Sequence, residues 1–262
     1  MKFLDQMGRE VQVSGPLLKI VSLVPSQTEL LVDLGLQSNL VGVTKFCVHP
    51  KDLKKKVSVV GGTKNIRIEK IKSLAPDIII CNKEENTKEI VEVCESIAPV
   101  WVSDISSLED AIQMIELLGD MFQKQTEALR IISSIKTAYQ KFISFQINYP
   151  SLKVIYLIWQ KPYMAAGKQT FIDALLKLNG FTNVITEARY PEVSDSTILK
   201  CDVVLLSSEP FPFKESHAIE LEAKIKKPVL VVDGEYFSWY GSRLSKAFTY
   251  FENLQKQLSE IF

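Results

Sequence analysis

The sequence predicts an α/β protein of two similar α/β lobes, each with a central, largely parallel sheet, joined by one long backbone helix. Three observations carry this. Strand-like apolar runs alternate with helix-like segments in two successive series, the pattern of a parallel sheet covered by helices. Between the series, residues 122–145 contain neither Gly nor Pro, and Ala128, Ile131, Ile132, Ile135, Ala138, Tyr139 and Phe142 form one stripe. Three segments of the second half also echo the first in the same order. The expected division is residues 1–121 for the first lobe, 122–146 for the connecting helix and 147–262 for the second lobe.

In the first half, Gly8 between two short apolar stretches reads as a hairpin or edge strand. Residues 18–24 form a buried-type strand, and Ser26 with Glu29 suggests a capping box opening a helix that ends near Gly35. Strands follow at 40–44, 57–60, 77–81 and 100–102. The helices between them lie at about 68–74 and 88–97, and Leu108, Ile112, Ile115 and Leu118 recur at helical spacing beyond. A helix over 122–145 would span roughly 35 Å at 1.5 Å per residue.

After Pro150 the alternation restarts with strands at 154–159, 203–207 and 229–232 and helices at 171–178 and about 243–258. The echoes pair Ser26-Gln27-Thr28 with Lys168-Gln169-Thr170, Pro76-Asp77-Ile78 with Cys201-Asp202-Val203, and Ala98-Pro99-Val100 with Lys227-Pro228-Val229. Gly35 and Gly180 close the two corresponding helices.

Composition narrows function. Hydrophobic residues at 46% and charged residues at 24% are the balance of a globular chain, not of a disordered one. The 31 basic residues cancel the 31 acidic ones, so no global field draws the chain to nucleic acid or anionic lipid. No window reaches the roughly 18 apolar residues of a membrane span. Charge interrupts the first ten residues before any signal-peptide core, so as written the expectation is cytoplasmic, or periplasmic or cell-surface if a leader has been removed. Cys47, Cys81, Cys94 and Cys201 lack the spacing of a zinc knuckle or redox dithiol and read as buried thiols. The only histidines, His49 and His217, have no ligand-spaced partner and read as loop or surface residues, so no metal site is expected. There is no Gly-x-Ser-x-Gly elbow, and Gly61-Gly62-Thr63-Lys64-Asn65 lacks the phosphate-loop frame. No catalytic set emerges, and an enzyme is not expected.

In open parallel sheets, ligands sit beyond the carboxyl ends of the strands. In the first half the loops there are polar and supply Ser26, Thr44, Phe46, His49, Lys64 and Asn65. In the second half they are rich in aromatics and supply Trp159, Tyr163, Tyr190, Glu209, Phe211, Trp239, Tyr240 and Arg243. Rings on loops give rigid contact area suited to a ligand with a large flat face. Arg243 could bind a carboxylate or phosphate bidentately or serve a structural ion pair.

Residues 19–29 (Lys-Ile-Val-Ser-Leu-Val-Pro-Ser-Gln-Thr-Glu), 40–44 and 74–80 resemble the substrate-binding proteins of ABC transporters for vitamin B12 and iron siderophores, and the resemblance covers almost the whole chain. It implies two α/β lobes on a helical backbone, of the class III periplasmic-binding-protein type, with a ligand clasped between them. By position it places ligand contacts at residues 46–50, 159–163, 190–191 and 239–243. It also implies docking to a membrane permease through one exposed Glu per lobe. Glu69 matches the first position; the second falls on Ser196, with Glu192 and Asp195 the nearest carboxylates. The longer loop motifs resemble a leaderless subgroup of these proteins.

The expected function is therefore a small-molecule binding protein related to ABC-type uptake, holding a cobalamin, haem or ferric siderophore non-covalently. The alternatives are a cytoplasmic cofactor-handling enzyme or chaperone on the same fold, and a partner-binding role for the aromatic cluster.

Overall fold

A computed structural model describes residues 1–262. Its first half runs β1 (Lys2–Leu4), β2 (Glu10–Gln12), β3 (Ile20–Ser22), α1 (Pro25–Asp33), β4 (Leu40–Val43), α2 (Leu53–Lys56), β5 (Ser58–Val59), α3 (Ile68–Leu74), β6 (Ile78–Asn82), α4 (Lys88–Glu95), β7 (Val100–Ser103), α5 (Leu108–Met121) and α6 (Gln125–Gln146). The second half runs β8 (Lys153–Trp159), β9 (Met164–Ala165), α7 (Phe171–Leu178), β10 (Thr182–Asn183), α8 (Asp195–Ile198), β11 (Val203–Ser207), α9 (Glu215–Ile225), β12 (Val229–Val232), α10 (Gly234–Ser238) and α11 (Leu244–Ser259). No helix is long and apolar enough to cross a membrane.

The chain forms two compact units. Unit 1 holds residues 1–104, 109–133 and 240–243; unit 2 holds 105–108, 134–239 and 244–262. The α6 helix thus gives its first turns to unit 1 and the rest to unit 2, and four residues between α10 and α11 return to unit 1.

Unit 1 contains a five-stranded parallel sheet in the order β5-β4-β3-β6-β7, with the β1–β2 hairpin apart from it. The strands β3, β6 and β7 are buried along their whole length, which is why they read as continuous apolar runs and not as alternating ones. Unit 2 contains the order β10-β8-β11-β12, all parallel, with β9 antiparallel on β8.

Two of the three sequence echoes are structural repeats; the first is not, because Ser26, Gln27 and Thr28 lie inside α1 whereas Thr170 is the N-cap of α7. In unit 1 the Asp77 carboxylate accepts from the Leu18 and Lys19 amides at 2.9 and 2.8 Å, while its own amide donates to Lys19 O at 2.8 Å. In unit 2 the Asp202 carboxylate accepts from the Lys153 amide at 2.7 Å, and its amide donates to Lys153 O at 2.7 Å. Pro99 O accepts from Ile79 N as Pro228 O accepts from Val204 N. After α1 and α7 the chain turns through Gly35 (φ 81°) and Gly180 (φ 74°), where the next amides, Leu36 and Phe181, reach back to Leu31 O and Leu176 O. Only a residue without Cβ enters this left-handed position freely.

Two local expectations are corrected. The capping box does not form: Pro25 occupies the first turn of α1, Val24 is the N-cap without a side-chain bond, and Ser26 is buried within the helix. Pro needs no partner for the amide it lacks, so it opens the helix by itself. The long helix also begins later than 122. The α5 helix ends at Met121, and Gln123 takes φ 56° before α6 starts. A Cβ on Gly119 would stand 2.5 Å from the Ala128 Cβ, so the small residue lets the two helices turn closely about each other. A non-Gly residue in the left-handed region left no Gly or Pro to mark the break.

Within unit 2, Phe142 of α6 is fully buried against Phe248 and Phe251 of α11, with ring centroids 5.8 and 5.9 Å apart. Phe142→Ala is expected to cost about 3–5 kcal/mol in urea unfolding, the range for deleting a buried ring.

Candidate ligand-binding site

The carboxyl end of the unit 1 sheet is lined by polar residues that the fold buries. Ser22, Asn82 and Ser103 end three strands, and Thr44 follows a fourth; all four are fully buried. The Asn82 amide donates to Ser103 Oγ at 2.9 Å, and Gln27 Nε2 donates to the same hydroxyl. Thr28 Oγ1 donates to Ser22 Oγ at 2.8 Å, and Thr28 and Thr44 both lie within hydrogen-bond reach of Cys47 Sγ. Burial pushes the Cys47 thiol up, with those bonds opposing. Ser26 and Thr44 thus sit within a packed layer. Solvent is met instead by Lys45, Phe46, Lys64 and Asn65, with His49 half-buried beside them. Phe46 is 49% exposed and carries the Lys45 ammonium 4.8 Å from its ring centre, while Lys64 Nζ donates to Glu84 O.

The carboxyl end of the unit 2 sheet is aromatic. Trp159 closes β8, is 42% exposed, and meets the half-buried Phe211 edge-on with centroids 5.6 Å apart. Phe211 packs in turn on Phe213 and His217. His217 is therefore not a loop residue: it lies in the first turn of α9, where Nδ1 accepts the Lys214 amide at 2.9 Å. Tyr163 is half-buried, with Gln160 Nε2 reaching its hydroxyl at 3.5 Å, and Tyr190 is half-buried nearby in sequence to the Met164–Glu192 bridge.

Glu209 follows β11 as a half-buried carboxylate whose Oε1 accepts from Ser238 Oγ at 2.6 Å and from Trp239 Nε1 at 2.9 Å. Burial raises its pKa above the ordinary carboxylate value, and the charges of Glu235 and Asp233 push the same way. Trp239 and Tyr240 are 6% and 5% exposed, so they shape the loop from inside.

Arg243 is engaged within unit 1. Its Nε and Nη2 donate to Glu29 Oε2 and Oε1 at 2.8 and 2.9 Å, a bidentate pair with side chains 9% and 12% exposed. Of the two roles left open for this arginine, the structural one is occupied. Glu29, read from sequence as a capping residue, is its partner; a contact between residues 214 positions apart leaves no local signal. Glu69 near the start of α3 is exposed and pairs with Lys72 at 3.0 Å, and Glu192 is exposed. No group of three or more His, Cys, Asp or Glu side chains is gathered as a metal would need.

Residues 20–209 match the family described as periplasmic binding protein. The chain belongs to this family. It is one of solute-binding proteins and not of enzymes. Among its relatives is an ABC transporter substrate-binding lipoprotein of Bacillus subtilis, 25% identical over 205 residues that cover 75% of this chain and 65% of that protein. Another is a vitamin B12-binding protein of Vibrio vulnificus, 26% identical over 210 residues covering 79% and 74%. The chain therefore spans about two thirds to three quarters of the length of these relatives. In solved structures the same fold is seen in a periplasmic haem-binding protein of Roseiflexus, with a TM-score of 0.80 at 18% identity over 93% of this chain and 99% of that one. It is seen too in the periplasmic vitamin B12-binding protein of Vibrio cholerae, with a TM-score of 0.78 at 21% identity over 92% and 98%. These likenesses bear out the two-lobed α/β fold class of the helical-backbone type.

Removing Arg243 leaves Glu29 in a site from which water is largely excluded. Arg243→Ala should destabilise the protein by about 3 kcal/mol in chemical denaturation, as breaking one side of a buried pair does. The double variant Glu29→Gln, Arg243→Met should recover part of that loss.

Proposed function

We propose that this chain is the ligand-binding component of an ABC-type uptake system and that its ligand is a cobalamin, a haem or a ferric siderophore, held non-covalently by loops at the carboxyl ends of strands. The observation that carries the proposal is the exposed Trp159 set edge-on to Phe211 at the carboxyl end of the unit 2 sheet. A preformed aromatic ledge suits the flat face of a macrocycle or aryl chelate, because little side-chain freedom is lost on contact. On the unit 1 loops, Phe46 with Lys45 and Lys64 offers an aromatic face and cationic groups for polar substituents. The vitamin B12 and haem named for the relatives support the same ligand class.

In this reading Glu69 and Glu192 are the exposed carboxylates that meet a permease. The lipoprotein and periplasmic proteins among the relatives favour action on the outer side of the cytoplasmic membrane.

The test is titration of the purified chain with cyanocobalamin, haemin and a ferric siderophore, followed by tryptophan fluorescence and by calorimetry. At least one should quench emission saturably, and Trp159→Ala should weaken that ligand about tenfold or more, equivalent to about 1.4 kcal/mol. Absence of saturable binding by all three contradicts the proposal. Unchanged affinity in Trp159→Ala would remove the ledge from the site.

A further inference from the structure

Within unit 2, the loop after β11 is stitched to the segment after β12. The Gly234 amide donates to Ser208 Oγ at 2.9 Å, and Ser238 Oγ and Trp239 Nε1 converge on one oxygen of Glu209. Behind them Tyr156 donates to Ser207 Oγ at 3.0 Å, and Ser207 donates to Glu209 O at 2.5 Å. The approach is close enough to require glycine at 234: a Cβ there would stand 2.5 Å from Ser207 Oγ and 2.6 Å from Glu209 Cγ. The Glu209 side chain thus reaches past Gly234 to the indole five residues further on. An ionised carboxylate is a stronger acceptor for two such donors than a neutral group.

We propose that Glu209 is a positioning residue: its carboxylate holds the Trp239 indole, and through it the aromatic segment 234–239, in the shape that meets the ligand, without itself touching the ligand. The ligand part of this statement rests on the proposed function above; the hold on Trp239 does not.

The titratable groups around the clamp are Asp233 and Glu235 from α10 and its cap, Tyr156 from β8 and Tyr250 from α11. With its folded-state pKa raised, Glu209 contributes stability that is present below the ordinary carboxylate range and lost as pH rises through the folded value. Its ionisation should therefore register at the indole it holds.

The full chain carries three tryptophans, so Trp239→Phe isolates the signal of Trp239 by difference. In the wild type, emission should show a pH step above the ordinary carboxylate range that is missing from Trp239→Phe. Glu209→Gln should lose the step yet keep Trp239 shielded from acrylamide, since an amide oxygen still accepts both donors. Glu209→Ala should shift Trp239 emission to the red and expose it to quencher. Unchanged emission and shielding in Glu209→Ala, or a step that persists in Glu209→Gln, overturns the proposal; should the alanine variant not fold, the glutamine pH profile decides. With haemin and cyanocobalamin as probes, Glu209→Ala should weaken binding about tenfold and Glu209→Gln by less than about threefold. Equal losses in both variants with Trp239 unmoved would mean that Glu209 touches the ligand, and would overturn the positioning role. If neither probe binds the wild type, the functional reading fails while the emission experiment still decides the clamp.

Discussion

An aspartate at the start of the second central strand ties that strand to the first in each sheet: Asp77 to residues 18 and 19, Asp202 to residue 153. In a parallel pair the bonds are slanted and no tight hairpin fixes the register. The side chain supplies that fixing by satisfying amides left over at the strand entrance while its own amide closes the ladder. With this register set, the strands end level enough that Ser22, Asn82 and Ser103 emerge at one edge of the first sheet, and Trp159 and Ser207 at one edge of the second.

The two edges then diverge. In unit 1 the emerging residues are small and polar, bond to one another, and leave the exposed loops to carry any contact. In unit 2 they open onto rings that pack on one another from Trp159 through Phe211 to Phe213 and His217, and onto the Glu209 carboxylate that gathers Ser238 and Trp239. A low-dielectric surround strengthens each of those bonds and makes a missing partner costly, so the loop geometry is well determined by its own hydrogen bonds. The Glu29–Arg243 pair gives the same definition to residues 240–243 within unit 1.

Much of this was legible in the sequence because it is local or repetitive. Runs such as Ile78-Ile79-Ile80 announce strands buried on both faces, Gly35 and Gly180 mark left-handed helix ends, and the Asp77 and Asp202 echoes turned out to be the same hydrogen bonds twice. What escaped had no local signature. The Gln123 turn uses a residue that tolerates positive φ without advertising it. The short elements β9, β10 and α8 have too few residues for a period to show. Helix-start rules give Ser26 and Glu29 one meaning, while Pro25 opens the helix and a distant arginine gives Glu29 another. Among the candidate site residues, sequence carries no sign that Glu209 bonds the Trp239 indole or that Arg243 bonds Glu29, because both contacts join distant parts of the chain.

The ligand we propose for this chain is a cobalamin, a haem or a ferric chelate. Native mass spectrometry of the protein isolated from the cells that make it, with the visible spectrum of the same sample, tests it most directly. The expected result is a non-covalent adduct whose mass and absorption are those of a corrinoid, a haem or a ferric siderophore and which dissociates on denaturation. A bound colourless solute such as a sugar or peptide, with no uptake of the coloured ligands on addition, would contradict it.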